Sequence, residues 1–199
     1  MPAMDINETN RILRSHDLPY ICKRMTAGGG NCFFHAIVDQ LKDEVIAENI
    51  SNRSKLIDIS DHIAVREAVI EFCRHDNDLL NSDWNGWKDE YVASEREKSH
   101  FSGLHEHVVW RALLDEMEKS GAWTDWIFVT ATALFFGKDI HIIKSNYHYK
   151  LSGSMYGQHP EDPPFAMVLL NEVHFQSVRR LIKGNGNNQP WWRRICNIF

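Results

Sequence analysis

Apolar positions recur with helical or strand periods along most of the chain. From Asn31 to about Leu41, Phe33, Ile37 and Leu41 return every four positions with Phe34 and Val38 beside them, which predicts a helix. Gly28-Gly29-Gly30 before it is a loop, because three successive glycines lose too much backbone freedom in a helix. A second helix is predicted from an N-cap at Ser60 or Asp61, with Val65, Val69, Phe72 and Cys73 on one face. A third carries Val109, Leu113 and Met117 and ends near Gly121. Trp126 to Phe136 is nearly all apolar, which predicts a buried helix. Strands are predicted at Asp139 to Ile143, Phe165 to Leu170 and His174 to Val178, the last entered through Asn171-Glu172-Val173. Helices first and strands late predict an α/β or α+β domain with an antiparallel portion to its sheet.

Composition narrows the class. The 199 residues fit one ordinary domain, and 43% hydrophobic with 25% charged residues excludes wholesale disorder. A net charge of −5, from 22 Lys+Arg against 27 Asp+Glu, argues against a dedicated nucleic-acid binder. The four cysteines, Cys22, Cys32, Cys73 and Cys196, form no CxxC pair, so neither a zinc ribbon nor a thioredoxin-type site is expected. No metal or organic cofactor is expected. The N-terminal stretch MPAMDINETNRILRS has no apolar h-region, and Trp126 to Phe136 is too short to cross a bilayer. The expectation is a cytoplasmic protein with reduced thiols.

One stretch carries candidate chemistry: Gly28-Gly29-Gly30-Asn31-Cys32-Phe33-Phe34-His35-Ala36. A glycine loop feeding a helix exposes backbone N–H groups at the helix start, and a cysteine there meets the positive end of the helix dipole, which favours thiolate. The same amides suit the oxyanion that forms when a thiolate attacks a carbonyl. Two other readings stand beside this one: a small buried hydrophobe, and a phosphate cradle, although no Walker Lys-Ser/Thr or GxGxxG unit accompanies the loop. His174, at the start of the last strand, is the candidate base, and Gln176 shares its face, two residues on. A side-chain amide there can orient an imidazole toward a thiolate. The alternative is an ordinary half-exposed strand histidine.

The segments GGGNCFFHAIVDQL, GAWTDWIFVTATALFFGKDIHII and FAMVLLNEVHFQSV resemble, in order and spacing, the three sequence blocks of the ovarian-tumour (OTU) family of cysteine deubiquitinases. The resemblance spans about residues 20 to 180. It implies a papain-like cysteine protease fold of the OTU type, α/β (α+β) with a central, mostly antiparallel sheet flanked by helices. It also implies hydrolysis of isopeptide or peptide bonds after the C-terminal glycine of ubiquitin, or of a ubiquitin-like modifier, through a thioester on Cys32. Cys32 matches the nucleophile and His174 the general base. Gln176 matches the third triad member, and the amides of Gly29, Gly30 and Cys32 match the oxyanion hole. Gly29 stands where the family has Asp, Gln176 where Asp or Asn is usual, His35 where Arg is common, and Thr124 where Gly is frequent. A neutral Gln stabilises an imidazolium less than a carboxylate, so a slow hydrolase is expected, with Asp17 as another candidate acid. Trp123 and Trp126 are candidates to line the support of the site. Two rival readings are a weakened OTU-like module that binds ubiquitin or a partner without efficient cleavage, and a cysteine-dependent acyltransferase.

The expected organisation is an N-terminal segment over 1–19, a catalytic domain over 20–183 and a flexible tail over 184–199. His105-Glu106-His107 lacks metalloprotease spacing and reads as a solvated helix face, and Glu95-Arg96-Glu97-Lys98 reads as an exposed charge run. The tail ends Cys196-Asn197-Ile198-Phe199, a C-a-a-X arrangement with geranylgeranyl as the expected lipid. Trp191-Trp192-Arg193-Arg194 would add the second signal for a peripheral membrane contact. Asn197 is not aliphatic, and the alternative is a tail whose tryptophans pack on the domain.

Overall fold

A computed structural model of the protein describes residues 6–43, 46–47, 50, 54–75, 82–98, 100–153 and 163–181. The expectations for the tail, Cys196 included, fall outside these residues.

Helices α1 (Ile6–Ser15) and α2 (Cys32–Gln40) flank the short strand β1 (Tyr20–Ile21). Then come α3 (His62–His75), α4 (Ser82–Arg96), α5 (Glu106–Glu118) and α6 (Trp126–Phe136). The strands are β2 (Ile140–Ile143), β3 (His148–Leu151), β4 (Phe165–Leu170), β5 (His174–Ser177) and β6 (Arg179–Arg180). The main sheet has the order β3-β2-β4-β5, and β1 pairs with β6 in a separate antiparallel ribbon. Two of the three pairings in the main sheet are antiparallel; β2 and β4 run parallel, with Ile142 opposite Met167.

Local chemistry fixes the helix ends. Asp61 caps α3, its Oδ1 accepting the Ile63 N–H at 2.9 Å. Asp125 caps α6 in the same way through the Trp126 N–H at 2.6 Å. Gly137 closes α6 in the left-handed region at φ 61°, where the Gly137 and Lys138 amides reach the carbonyls of Leu134 and Ala133.

The strands FAMVLL and IHII read as continuous apolar runs because both faces of the sheet are covered. Ile140, Ile142, Phe165 and Met167 join the larger core with α2, α3, α5 and α6. Alternate positions Ile143, Ala166, Val168 and Leu170 face Ile12 and Leu13 of α1, together with Tyr20, Cys22 and Val178. So α1, upstream of the expected boundary at residue 20, supplies the cover for the second face of the sheet. Gln40 at the end of α2 clamps β4 through its side-chain amide, accepting the Ala166 N–H at 2.8 Å and donating to the Ala166 carbonyl. Cys22 and Cys73 are buried core thiols, as expected.

Three expectations change. The strands expected at 139–143 and 165–170 form a parallel β2–β4 pair, because β3 occupies the outer edge of β2 and the chain returns on its other side. Helix α4, missed in a polar sequence, is anchored by fully buried Trp84 with Tyr91 and Val92. Glu95 on that helix is buried and ion-paired to Lys98 at 2.6 Å, rather than exposed. No helix among the described residues is long and apolar enough to cross a membrane.

Leu13 is almost fully buried against the sheet. Leu13→Ala is therefore expected to cost about 3 kcal/mol, a fall in Tm of roughly 6–12 °C for a domain of this size. Differential scanning calorimetry checks this, and a fall under about 2 °C would remove α1 from the cooperative unit.

Candidate active site

The glycine loop, α2, the turn after α5 and strand β5 converge on Cys32. Gly29 takes φ +86°, a left-handed conformation that glycine reaches without the usual steric penalty, and turns the chain into α2. Gly30 is required for a different reason. A Cβ there would lie 1.6 Å from the carbonyl oxygen of Gly121, so the loop and the 119–122 turn meet backbone to backbone. Asn31 locks that approach: its Oδ1 accepts from the Gly121 N–H at 2.8 Å and from Arg66 at 2.8 Å, and its Nδ2 donates to Ser120 Oγ at 3.2 Å. Asn31 occupies the N-cap of α2, yet its side chain serves these tertiary bonds and makes no cap bond.

Cys32 is the first residue of α2 and is 1% exposed. Its Sγ accepts the Phe175 N–H at 3.4 Å and lies 3.8 Å from the Val173 carbonyl, so the thiol rests on the backbone on either side of His174. Burial raises the thiol pKa above its ordinary value. The Phe175 amide, the first amides of α2 and the Arg66 charge oppose it without prevailing. The expectation that the helix start favours thiolate is thus corrected: those dipoles act, but loss of water outweighs them.

His174, the first residue of β5, is buried, not half-exposed. Burial lowers its pKa, with the nearby Gln176 amide pulling the other way. Neither ring nitrogen completes a hydrogen bond among the described residues. Burial thus favours the uncharged form of each group.

Gln176 shares the strand with His174, but its amide is committed elsewhere. Its Oε1 accepts the Thr26 N–H at 3.0 Å. Its Nε2 donates to the Arg24 carbonyl at 2.8 Å, the Ser177 carbonyl at 3.0 Å and Thr26 Oγ1 at 3.2 Å. Thr26 Oγ1 also accepts the Ser177 N–H at 2.9 Å, stitching the segment before the glycine loop onto β5. The Gln176 side chain thus ties two backbone segments together and also favours the charged form of the His174 imidazole on the same face of β5, while neither ring nitrogen completes a hydrogen bond among the described residues. Asp17 is exposed in the turn after α1 and makes no contact with His174 among the described residues.

The expected oxyanion hole is also incomplete at rest. The Cys32 N–H donates to the Gly29 carbonyl at 3.1 Å, closing a turn. Beyond the loop, a cavity of about 460 Å³ shares Gly121 and Ser120 with the site and is lined by Trp123, Tyr91 and Met117. Trp123 is 49% exposed beside it, whereas Trp126 packs edge-on against Tyr91 at 5.8 Å. His105 and Glu106 lie exposed at the start of α5. No group of three or more His, Cys, Asp or Glu among the described residues is placed to hold a metal.

Arg66 is the site residue that sequence reasoning missed. A charged residue one position after Val65 and three before Val69, on the apolar face of α3, was the available signal.

Residues 27–175 match the family model of the OTU-like cysteine proteases. Among solved structures, the chain is similar to an OTU deubiquitinase from Wolbachia pipientis wMel, at 11% identity and a TM-score of 0.54, over 88% of this chain and 96% of that one. It is similar to the viral OTU domain protease from Farallon virus at 15% identity and a TM-score of 0.52, over 89% of this chain and 88% of that one. No curated protein matches the chain at a significant level.

The contact between Gly30 and Gly121 is backbone on backbone, so no side chain can yield to an added methyl group. Gly30→Ala is expected to displace the loop, cutting the alkylation rate or turnover at Cys32 at least tenfold and lowering stability by about 1–3 kcal/mol. Kinetics alongside a thermal melt check this, and a variant with wild-type values would show the loop to be free of the turn.

Proposed function

We propose that this chain, which belongs to the OTU-like cysteine protease family, is a thiol-dependent deubiquitinase. It cleaves the isopeptide or peptide bond after the C-terminal glycine of ubiquitin or a ubiquitin-like modifier. The observation that carries this reading is the seat of the Cys32 thiol, at a helix start, behind a glycine loop, on the backbone that bears His174. Family membership supplies the substrate class, and the papain-like α/β architecture agrees with it.

The chemistry starts from the neutral pair. As the substrate carbonyl reaches Sγ, the thiol proton passes to the His174 imidazole and the C–S bond forms. Rotation of the Gly29–Gly30 peptide, cheap between two glycines, frees the Cys32 N–H from the Gly29 carbonyl for the oxyanion. The C–N bond then breaks as the imidazolium returns its proton to the leaving amine. His174 next takes a proton from water, a C–O bond forms at the thioester carbon and the C–S bond breaks, restoring the thiol. Gln176 has a positioning role, fixing β5 against residues 24–26 so that His174 keeps its place. No cofactor enters these steps.

The weakened-module reading has its own support, since the imidazole lacks an orienting partner and the Cys32 amide is occupied at rest. A ubiquitin C-terminal electrophile separates the two. Covalent labelling of the wild type but not of Cys32→Ala is expected, and binding without labelling would favour the module.

The pKa directions set the pH profile of kcat/KM. The reactive state holds one proton between Cys32 and His174. Acid adds a second proton at a histidine whose pKa is lowered, and base removes the last one from a thiol whose pKa is raised. The expected bell therefore has its acid limb below the ordinary histidine value and its alkaline limb above the ordinary cysteine value. Turnover of a fluorogenic ubiquitin substrate measures it. An alkaline limb below pH ~7.5 would show instead that the helix dipole outweighs burial at Cys32.

A further inference from the structure

We infer that Arg66 is the positioning residue of this site: its guanidinium fork pins the glycine loop against the end of α5, and its fixed charge sits against the residues that bracket Cys32. The inference rests on the reading of Cys32 as the nucleophile.

Arg66 is 0% exposed. Its Nη2 lies 2.9 Å from the Gly30 carbonyl, 2.8 Å from Asn31 Oδ1 and 3.0 Å from the Ala122 carbonyl, while Nη1 donates to the Met117 carbonyl at 2.8 Å. Its carbon centre stands 4.6 Å over the Phe34 ring. Gly30, Asn31 and Phe34 bracket Cys32 in sequence, so one side chain touches the loop before the thiol and the helix turn after it. The Met117 carbonyl belongs to the last turn of α5, where unpaired carbonyls carry negative partial charge.

A buried cation normally has an anion beside it, because desolvation alone is very costly. No carboxylate lies within ion-pair distance of Arg66 among the described residues; four neutral oxygens and an aromatic face stand in its place. The Arg66 Nε–H is unpartnered and buried. The ionisable group whose charge it feels is Cys32.

The surroundings leave no closer competitor. On α2 itself, His35 is stacked on His62 of α3 at 3.7 Å, and Asp39, at the far end of the helix, is ion-paired to Arg24 and Arg179. On β5 the ionisable group is His174, while α6 and β4 carry none. In the last turn of α5, Glu118 is ion-paired to Arg74, and Glu116 to Lys119. Thiolate formation at Cys32 would thus place near Arg66 the anion that its site lacks at rest. The same fork holds the Gly30 carbonyl, so the loop can turn about Gly29–Gly30 without losing its anchor.

The test separates charge from fork. In the full-length, ubiquitin-free protein, the pH dependence of Cys32 alkylation by iodoacetamide is followed by mass spectrometry of the Cys32 peptide. Arg66→Met is expected to move the midpoint up by about one pH unit or more, roughly a tenfold loss of reaction at neutral pH. Arg66→Lys keeps the charge but not the planar fork. It is expected to hold the alkylation midpoint to within about 0.3 unit while kcat on a fluorogenic ubiquitin substrate falls at least tenfold. A folded Arg66→Met with the wild-type midpoint, or Arg66→Lys with the wild-type kcat, would overturn the inference. If Arg66→Met fails to fold, the kcat of Arg66→Lys decides. Alkylation reads the thiol whatever the substrate, so a wild type inert to ubiquitin undoes the proposed substrate and leaves the alkylation comparison standing.

Discussion

The approach of Gly30 to the carbonyl of Gly121 fixes the geometry on which the rest of the site is built. Backbone meets backbone there with no room for a methyl group, and Asn31 closes the joint by bonding to Gly121, Ser120 and Arg66 together. That joint ties the start of α2 to the end of α5. Because Cys32 is the next residue, the position of its thiol follows from a contact between two turns 90 residues apart. On the other side, Gln176 and Thr26 tie the segment before the loop to β5. The glycine loop is therefore held at both ends and free only in its middle, where Gly29 carries the left-handed conformation.

This frame explains the electrostatics. Helix starts favour anions, yet Cys32 rests as a thiol because the joint that places it also seals it from water. The same sealing keeps His174 neutral. On the proposed mechanism, the proton leaves Cys32 only as a carbonyl accepts the developing negative charge. A fixed guanidinium, held by carbonyls and not neutralised by a carboxylate, suits such a site, since its field is already in place when charge appears.

Much of this was legible along the chain. The α2, α3, α5 and α6 periods are strong because each helix buries one broad face or, for α6, nearly its whole surface. Cys32 and His174 stood out because glycine loops and late-strand histidines are local signals. By contrast, α1 shows only Ile6, Ile12 and Leu13 against a polar background, and its amphipathic face acquires meaning only when the second side of the sheet needs cover. Strand β3, an edge strand with mostly exposed residues, has no burial pattern to read. Gln176 was expected to serve the imidazole because residues two apart share a face. The amide also bonds to residues 24–26, and no local period reveals what packs across a strand.

The sequence by itself determined the helices and strands whose hydrophobic period is complete, the cysteine at the head of α2, the histidine at the head of β5 and the family whose blocks contain them. Only the tertiary structure decided the protonation state at rest, the commitment of the Gln176 amide, the occupied Cys32 amide and the place of Arg66 beneath the loop. The division has one cause. Period and motif are properties of neighbours in the chain, whereas burial, which sets charge and hydrogen-bond partners here, depends on segments up to about 150 residues apart being folded against one another.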